Sequence, residues 1–255
     1  MSTILDDFMK KLIIQIPCWN EELNIAKTLQ LIPKKFEGID SVELLIIDDG
    51  STDRTVEIAR TMGVDHILHL PKHMGLARAF EAGIQKCLSL GADIIVNTDA
   101  DNQYEATDIR KLIRPILEDD ADLVVGDRLS SKLPFLTRGK RLLYFCADWI
   151  VSLLMGAHSP DPTSGFRALK SQFARSINLR DNHSYTLETL VQAYFLNCKV
   201  TFIPIKSRLV NRPSRLIRST PIYIYKTTLS LIRSIIVYGL KPEPSVLILP
   251  KPSTP

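Results

Sequence analysis

The sequence contains few cysteines, and their spacing excludes the usual cysteine-based sites. Cys18, Cys87, Cys146 and Cys198 lie far apart and form no CxxC pair, which argues against a zinc site or a dense disulfide framework and fits a reducing compartment. The five histidines show no metal-ligand spacing either. No apolar window of about 20 residues occurs, so we expect no membrane-spanning helix. The start, "MSTILDDFMKKLIIQIPCWNEE", has two aspartates ahead of a short apolar run, whereas a signal peptide has a basic start and a longer apolar core, so we expect none.

Acidic residues are absent from one long stretch, Thr189 to Pro242. The lysines and arginines in that stretch are Lys199, Lys206, Arg208, Arg212, Arg215, Arg218, Lys226, Arg233 and Lys241. Such a block favours an anionic partner, which would be a phospholipid surface, a phosphate or a nucleic acid. Because few aromatic residues accompany these cations, we expect no nucleic acid partner.

Residues 220–239, "TPIYIYKTTLSLIRSIIVYG", have the pattern of an amphipathic helix. A helix of this kind suits the membrane interface, with its apolar face towards the acyl chains and its cations on headgroups. We therefore predict a basic and amphipathic membrane-interface segment over 207–240. A membrane-protein partner and a second copy of the chain are the other predicted contacts of the helix. Packing on the protein's own core is the alternative. Residues 241–255 are predicted to be a Pro-rich tail.

The first half of the chain alternates short aliphatic runs with amphipathic ones. The runs at 12–17, 42–48, 66–70, 93–98 and 122–127 predict strands, and those at 22–31, 53–62, 75–89 and 106–118 predict helices. Further on, 186–198 predicts a helix and 200–206 a strand. This alternation predicts an α/β domain over 1–206, a mostly parallel sheet flanked by helices, followed by a C-terminal amphipathic helical extension.

Three polar motifs follow predicted strands: "IPCWNEE", "IDDGSTD" and "NTDADNQY". The carboxyl ends of parallel strands form the ligand-binding edge of such sheets, so the motifs should converge there. Asp99 and Asp101 would repel each other unless a cation lies between them, and Mg²⁺ or Mn²⁺ with a diphosphate fits that position. The alternative is a solvated acidic turn. Asp49 can bind a base or ribose, while Ser51 and Asp53 are helix caps.

These motifs, together with "GLARAFEAGI" and "SGFRALK", occur in an order that resembles glycosyltransferase family 2. The resemblance covers about residues 12–240 and points to the polyprenyl-phosphate sugar transferase branch, similar to dolichyl-phosphate mannose synthase. It implies a GT-A (Rossmann-like) fold, a nucleotide-diphosphate sugar donor, Mg²⁺ or Mn²⁺, and inversion at the anomeric carbon. Donor-binding positions implied by the resemblance are Pro17, Trp19, Asn20, Glu21, Asp49, Asp99, Asp101 and Gln103. Those implied for the metal are Asp99, Asp101 and Gln103, and for catalysis Asp101, Arg128 and Arg167.

The expected reaction is transfer of a hexose, mannose from GDP-mannose in the first instance, to a polyprenyl or dolichyl monophosphate at the cytoplasmic face of a membrane. Arg128, Arg138 and Arg167 are predicted to bind the acceptor phosphate, because the guanidinium fork suits phosphate. The lipid phosphate is already anionic near neutral pH, so no general base is required. Three alternatives stay open: a UDP-glucose or UDP-N-acetylglucosamine donor, a saccharide hydroxyl acceptor with Glu188 as base, and a nucleotide-binding module without activity. For Glu188, a helix-surface acid or a partner for Arg167 is the competing interpretation.

Overall fold

The computed structural model describes residues 9–128, 152, 159–180, 185–208, 229 and 232–238. Its strands are β1 (Lys11–Cys18), β2 (Ser41–Asp48), β3 (His66–His69), β4 (Ile94–Asn97), β5 (Leu123–Asp127), β6 (Arg167–Lys170) and β7 (Val200–Pro204). Its helices are α1 (Ile25–Leu31), α2 (Thr55–Thr61), α3 (Leu76–Ser89), α4 (Ile109–Leu117), α5 (Ser171–Ser176) and α6 (Tyr185–Phe195), with a 3₁₀ turn at Ala106–Asp108 before α4. Each predicted strand and helix of the first half is confirmed, with ends that differ by a few residues.

The seven strands form one sheet in the order β3-β2-β1-β4-β6-β5-β7. The pairs β1–β2, β1–β4, β2–β3 and β5–β7 are parallel, and β6 runs antiparallel to both of its neighbours. The sheet is therefore mostly parallel, as predicted. The antiparallel strand β6 brings the chain that precedes it, "PDPTSGF", to the carboxyl end of β4, where the acidic motif begins.

Helices cover both faces of the sheet because successive side chains of a strand point to opposite faces. On one face, Ile13 of β1 and Ile47 of β2 belong to a buried cluster with side chains of α3, α5 and α6. On the other face, Leu12 and Ile14 belong to a second cluster with side chains of α1, α2 and α4. Strands buried on both faces read as the continuous aliphatic runs seen in the sequence.

Residues 232–238 are helical and pack one side against the first cluster. Ser234 and Tyr238 are buried, and the Tyr238 hydroxyl donates to the carbonyl of Asn178 at 2.6 Å. Ile232 and Ile236 stay exposed. This turn thus packs on the protein's own core, which was the alternative for that position, and it still presents two isoleucines to solvent.

Several predictions fall on other parts of the chain. Arg138, the tail 241–255 and most of 207–240 lie outside the described residues. Within the described residues, none of the helices combines the length and the apolar character needed to cross a membrane.

Candidate active site

The carboxyl ends of β1, β2 and β4 bring the three polar motifs to one edge of the sheet. Cys18 at the end of β1 pairs with Asp48 at the end of β2, and Gln15 of β1 pairs with Asn97 at the end of β4. The Asp49 amide donates to the carbonyl of Cys18 at 2.9 Å, which extends the contact beyond β2. The predicted convergence of the motifs is confirmed. Pro17 is buried in β1 and shapes the strand from within the sheet.

The first two motifs are locked to each other by hydrogen bonds between side chains and backbone. The Asn20 amide donates to Ser51 Oγ at 3.0 Å, and Asn20 Oδ1 accepts the Thr52 amide at 2.8 Å. Asp53 Oδ2 accepts the amide of Glu22 at 3.1 Å, close to the start of α1. Asn20 has a positive φ of 52°, a conformation that asparagine tolerates better than most residues. The chain after β1 and the chain after β2 therefore form one unit.

Glu21 and Asp49 are both buried at this edge and both bond to protein groups. The Glu21 carboxylate accepts a hydrogen bond from Asn24 Nδ2 at 2.8 Å, and the backbone amide of Glu21 donates to Thr55 Oγ1 at 2.7 Å. Asp49 Oδ1 accepts the Met74 amide at 2.6 Å, and Oδ2 accepts the amide of Gly75 at 2.9 Å. Asp49 thus fixes the loop between β3 and α3, a contact that the sequence interpretation did not include.

Trp19 stands at the same edge and is about one-third exposed. Its indole stacks on the imidazole of His73, with ring centroids 3.9 Å apart and an interplanar angle of 14°. His73 Nδ1 lies 2.8 Å from Asp49 Oδ2. The sequence analysis did not predict that His73 lies beside Trp19, because His73 belongs to none of the three polar motifs.

Asp99 and Asp101 follow β4 and are partly buried. Burial, and then the charge of Asp101, raise the pKa of Asp99 to about 6, while Arg128 and the Tyr104 hydroxyl act in the opposite direction. Asp101 Oδ1 accepts the Gln103 amide at 3.1 Å. The two carboxylates therefore share one electrostatic environment, as the D-x-D pattern predicted.

The acidic pair fits the requirements of a divalent cation. Mg²⁺ is usually bound by one or two carboxylates together with substrate phosphates, and Asp99 and Asp101 supply that number. Among the described residues no group of three or more His, Cys, Asp or Glu side chains has metal-binding geometry, so a donor phosphate would have to complete the coordination. Ser164 Oγ, which is buried, has no hydrogen-bond partner within the described part of the chain. Tyr104 is in the same environment as Asp99.

Gly165 has no side chain, and the Asp99 carboxylate lies close to the place that a side chain there would take. A Cβ on Gly165 would lie 3.3 Å from Asp99 Oδ1 and 2.8 Å from the Tyr185 hydroxyl. The carbonyl of Gly165 accepts Asn97 Nδ2 at 2.8 Å. The "SGFR" motif therefore forms the wall of the site against which the first aspartate packs.

Arg128 directly follows β5 and is paired with Asp161, an acid that the sequence interpretation did not include. Its Nε and one terminal nitrogen donate to the two oxygens of Asp161 at 2.7 and 2.8 Å, and the same terminal nitrogen donates to Thr163 Oγ1 at 3.0 Å. Burial alone would lower the pKa of Arg128, but Tyr104 and Asp161 hold it well above its ordinary value. Asp161 is 1% exposed, so this is a buried, bidentate ion pair next to the acidic motif. An acid in the turn before "SGFR" was the available signal.

Arg167 is placed differently from an exposed phosphate ligand. It is fully buried, and its guanidinium donates to the carbonyls of Ser164, Pro162 and Thr186 and to Thr189 Oγ1 at 2.6–2.7 Å. Four of its five N–H groups are engaged in these bonds. Arg167 therefore ties the turn before β6 to the start of α6, and its direct contact with a phosphate stays a prediction.

Glu188 is neither a surface acid nor, in the bonds described, a partner of Arg167. Its side chain is 1% exposed. Its Oε1 accepts the Arg180 amide at 2.8 Å and lies 2.8 Å from the Tyr238 hydroxyl. The interpretation as a helix-surface acid is therefore wrong, the described bonds of Glu188 go to Arg180 and Tyr238 and not to Arg167, and its role as a general base stays a prediction.

The acidic motif is also supported from the side of β7. The Arg208 amide donates to the carbonyl of Gln103 at 2.7 Å, and its guanidinium donates to Asn102 Oδ1 at 3.0 Å and Glu105 Oε2 at 2.7 Å. Asn102 has a positive φ of 57°. We call residues 99–105, which follow β4 and carry the two carboxylates predicted to hold a metal, the metal loop. Arg208, which the sequence analysis grouped with the basic segment, holds this loop in place.

The model of the family described as "Glycosyl transferase family 2" matches residues 13–184. The chain belongs to this family. The match covers more than half of the chain and includes the motifs described above, so the chain is a glycosyltransferase and the resemblance seen in its motifs is confirmed.

Curated relatives and solved structures agree with the family. This family 2 glycosyltransferase is 30% identical to a dolichyl-phosphate hexose transferase of Haloferax volcanii over 74% of this chain and 79% of the relative. It is 29% identical to a UDP-N-acetylglucosamine--dolichyl-phosphate N-acetylglucosaminyltransferase of Methanococcus voltae, over 78% and 86% of the two chains. Glucosyl-3-phosphoglycerate synthase from Mycobacterium tuberculosis, solved with Mn²⁺, UDP-glucose and phosphoglyceric acid, superposes with a TM-score of 0.67 at 18% identity over 92% and 81% of the chains. The GT-A fold is thereby confirmed.

Proposed function

We propose that this glycosyltransferase moves a hexose from a nucleoside-diphosphate donor to a polyprenyl or dolichyl monophosphate, with a divalent cation and with inversion. The observation that carries the proposal is that two carboxylates, Asp99 and Asp101, interact electrostatically at the carboxyl end of β4, and that Arg128, paired with Asp161, acts on the pKa of Asp99. The relatives named for dolichyl-phosphate acceptors support the acceptor class.

Asp99 and Asp101 would hold Mg²⁺ or Mn²⁺ together with the donor diphosphate, and Gln103 belongs to the same set. The cation supplies a Lewis acid for the departing diphosphate. The protein itself fixes the loop, because the Asp101 carboxylate accepts the Gln103 amide and the Arg208 amide donates to the Gln103 carbonyl. Positioning of this kind lowers the barrier because the reacting groups are already aligned.

Arg128 would supply positive charge near the lipid phosphate, with Arg138 as a further predicted ligand. Because Arg128 is paired with Asp161, its guanidinium has a fixed orientation, and its local charge is partly neutralised. An oxygen of the lipid phosphate attacks the anomeric carbon, the bond to the diphosphate oxygen breaks, and the electron pair leaves on the diphosphate. No proton is removed in this step, since the second ionisation of a phosphate monoester has a pKa of about 6.

The relatives named for dolichyl-phosphate acceptors favour a lipid phosphate acceptor over a saccharide hydroxyl. A hydroxyl nucleophile needs a base within hydrogen-bond reach. Glu188 is buried and bonded to protein groups. GDP-mannose stays the predicted donor, and UDP-glucose and UDP-N-acetylglucosamine are the alternatives.

A donor screen tests the proposal. The full chain is incubated with short polyprenyl phosphates and radiolabelled GDP-mannose, UDP-glucose or UDP-N-acetylglucosamine, with Mg²⁺, Mn²⁺ or excess chelator. We expect transfer to the lipid phosphate that chelation abolishes. Asp101→Ala should lower transfer at least about a hundredfold, because positioned charge at the departing group contributes several kcal/mol.

Asp120→Asn is the matched control, because Asp120 is an exposed acid at the far end of α4. It should transfer at the normal rate. Transfer to a free saccharide but not to the lipid phosphate would refute the acceptor class. Full activity in chelator, or in Asp101→Ala, would refute the metal role.

A further inference from the structure

Trp19, a donor-binding position implied by the resemblance, is stacked on a residue to which no role has been assigned, His73. The indole of Trp19 and the imidazole of His73 lie nearly parallel at 3.9 Å. Trp19 is 36% exposed, and the His73 side chain is 47% exposed. Stacked aromatic side chains at a polar edge offer a flat surface for another ring system, because aromatic rings prefer offset-stacked contacts.

His73 is held in place by its neighbours. Its Nδ1 lies 2.8 Å from Asp49 Oδ2, and Asp49 also accepts the amides of the next two residues. Gly50 packs directly on this loop, since a Cβ there would lie only 2.7 Å from the His73 amide nitrogen. Gly50 has a φ of +73°, so glycine suits this position for two reasons. The imidazole is thus fixed by an acid and by the backbone before any ligand arrives.

We propose that His73 is a positioning residue for the nucleobase of the donor: Asp49 orients the His73 ring, His73 holds the indole of Trp19 flat, and the base stacks on the exposed part of that indole. The inference deepens the proposed function, since it assumes a nucleotide donor. In this arrangement Asp49 supports the base through His73, in addition to the base or ribose contact that the resemblance implies for Asp49. Because every base has a stacking face, this surface accepts guanine and uracil alike.

The strand order sets the approximate separation between this pair and the metal loop. The pair follows β1 and β3 and rests on Asp49 after β2, whereas Asp99 and Asp101 follow β4, and the order is β3-β2-β1-β4. Neighbouring strands lie about 4.8 Å apart, so the ends of β2 and β4 are about 10 Å from each other. A ribose and one phosphate separate a base from the terminal phosphate of a nucleoside diphosphate. A nucleotide lying across β1 therefore reaches both places.

Nucleotide binding tests this inference without the transfer reaction. GDP and UDP, each with Mn²⁺, are titrated into the full chain by calorimetry, and the fluorescence of Trp19 is followed in a Trp149→Phe background. Trp19→Ala should weaken both nucleotides about tenfold to a hundredfold, from the usual contribution of base stacking. His73→Ala should weaken them about threefold to tenfold, and His73→Phe, which keeps a ring, should recover most of that loss. In turnover assays the His73 variants should raise KM for the donor and leave kcat unchanged.

His66→Ala is the matched control, because His66 also pairs with a carboxylate, Glu43, but at the other end of β3. It should bind both nucleotides normally. Unchanged affinity in His73→Ala, or equal losses in His73→Ala and His73→Phe, would overturn the inference. A nucleotide that binds without changing the Trp19 fluorescence would also overturn it. If both nucleotides bind as expected but no sugar is transferred to a polyprenyl phosphate, the proposed function is refuted, whereas the inference about His73 and Trp19 is supported.

Discussion

Replacing Arg167 by methionine separates a structural role from a phosphate-binding role. The side chain donates four hydrogen bonds at 2.6–2.7 Å inside the protein. Burial lowers its pKa to about 10, so it is still charged at neutral pH. Hydrogen bonds made by a charged group contribute about 1.5–3 kcal/mol each, which sets a gross value of at least about 6 kcal/mol. The cost of burying the charge offsets part of it.

We therefore expect Arg167→Met to lower the free energy of unfolding by about 3–5 kcal/mol, since three carbonyls lose their donor. Urea unfolding followed by circular dichroism measures this. For a domain of this size each kcal/mol shifts Tm by about 2–4 °C, so a fall of roughly 10 °C should accompany it. Transfer activity, measured below the new transition, should fall far less than in Asp101→Ala.

The control is Arg175→Met, in the last turn of α5. Arg175 is exposed, so its loss should change stability by at most about 0.5 kcal/mol. An Arg167→Met protein with the normal unfolding midpoint and no transfer activity would refute the structural role. It would instead support the phosphate contact that the family motif implies.

Three more substitutions follow from contacts at the site. Gly165→Ala should cut transfer at least about tenfold with normal nucleotide affinity in the absence of metal, because the added methyl displaces Asp99; an alanine variant with a normal rate contradicts the packing. Tyr238→Phe should lower the free energy of unfolding by about 1 kcal/mol through the lost hydrogen bond and leave kcat/KM unchanged; unfolding curves identical to the wild type would show that residues 232–238 do not dock. Asp161→Asn should raise KM for the lipid phosphate, because Arg128 loses its bidentate partner and its fixed orientation; an unchanged KM would argue that Arg128 does not meet the acceptor.

The sheet and its helices were predictable because each carries a local signal. β1, β2 and β4 are buried on both faces and therefore appear as aliphatic runs, and α3 shows helical periodicity over its length. The antiparallel direction of β6 has no such signal. The turn before β6 is held partly by bonds across longer stretches of chain, from Arg167 to Thr186 and Thr189 and from Asp161 to Arg128.

The acidic motif and its position at the strand ends were predictable for the same reason, since topology brings parallel strand ends together. The partners of the predicted residues were not. Asp161 holds Arg128 across 33 positions, and Arg208 reaches the metal loop across more than 100. Residue type showed which side chains carry charge, but not which of them are buried and bonded to protein groups. Arg167 and Glu188 are the two positions where this mattered most.

The bonds from Arg208 to the metal loop have a consequence for how the enzyme can be shortened. Lys206 and Arg208 sit where the expected catalytic domain gives way to the basic segment, yet their backbone amides hold Asp108 and Gln103. A truncation meant to remove membrane affinity would therefore have to keep the chain through position 208. Cutting at the end of β7 would release the loop that carries both aspartates, and the resulting inactivity would be mistaken for a requirement for lipid.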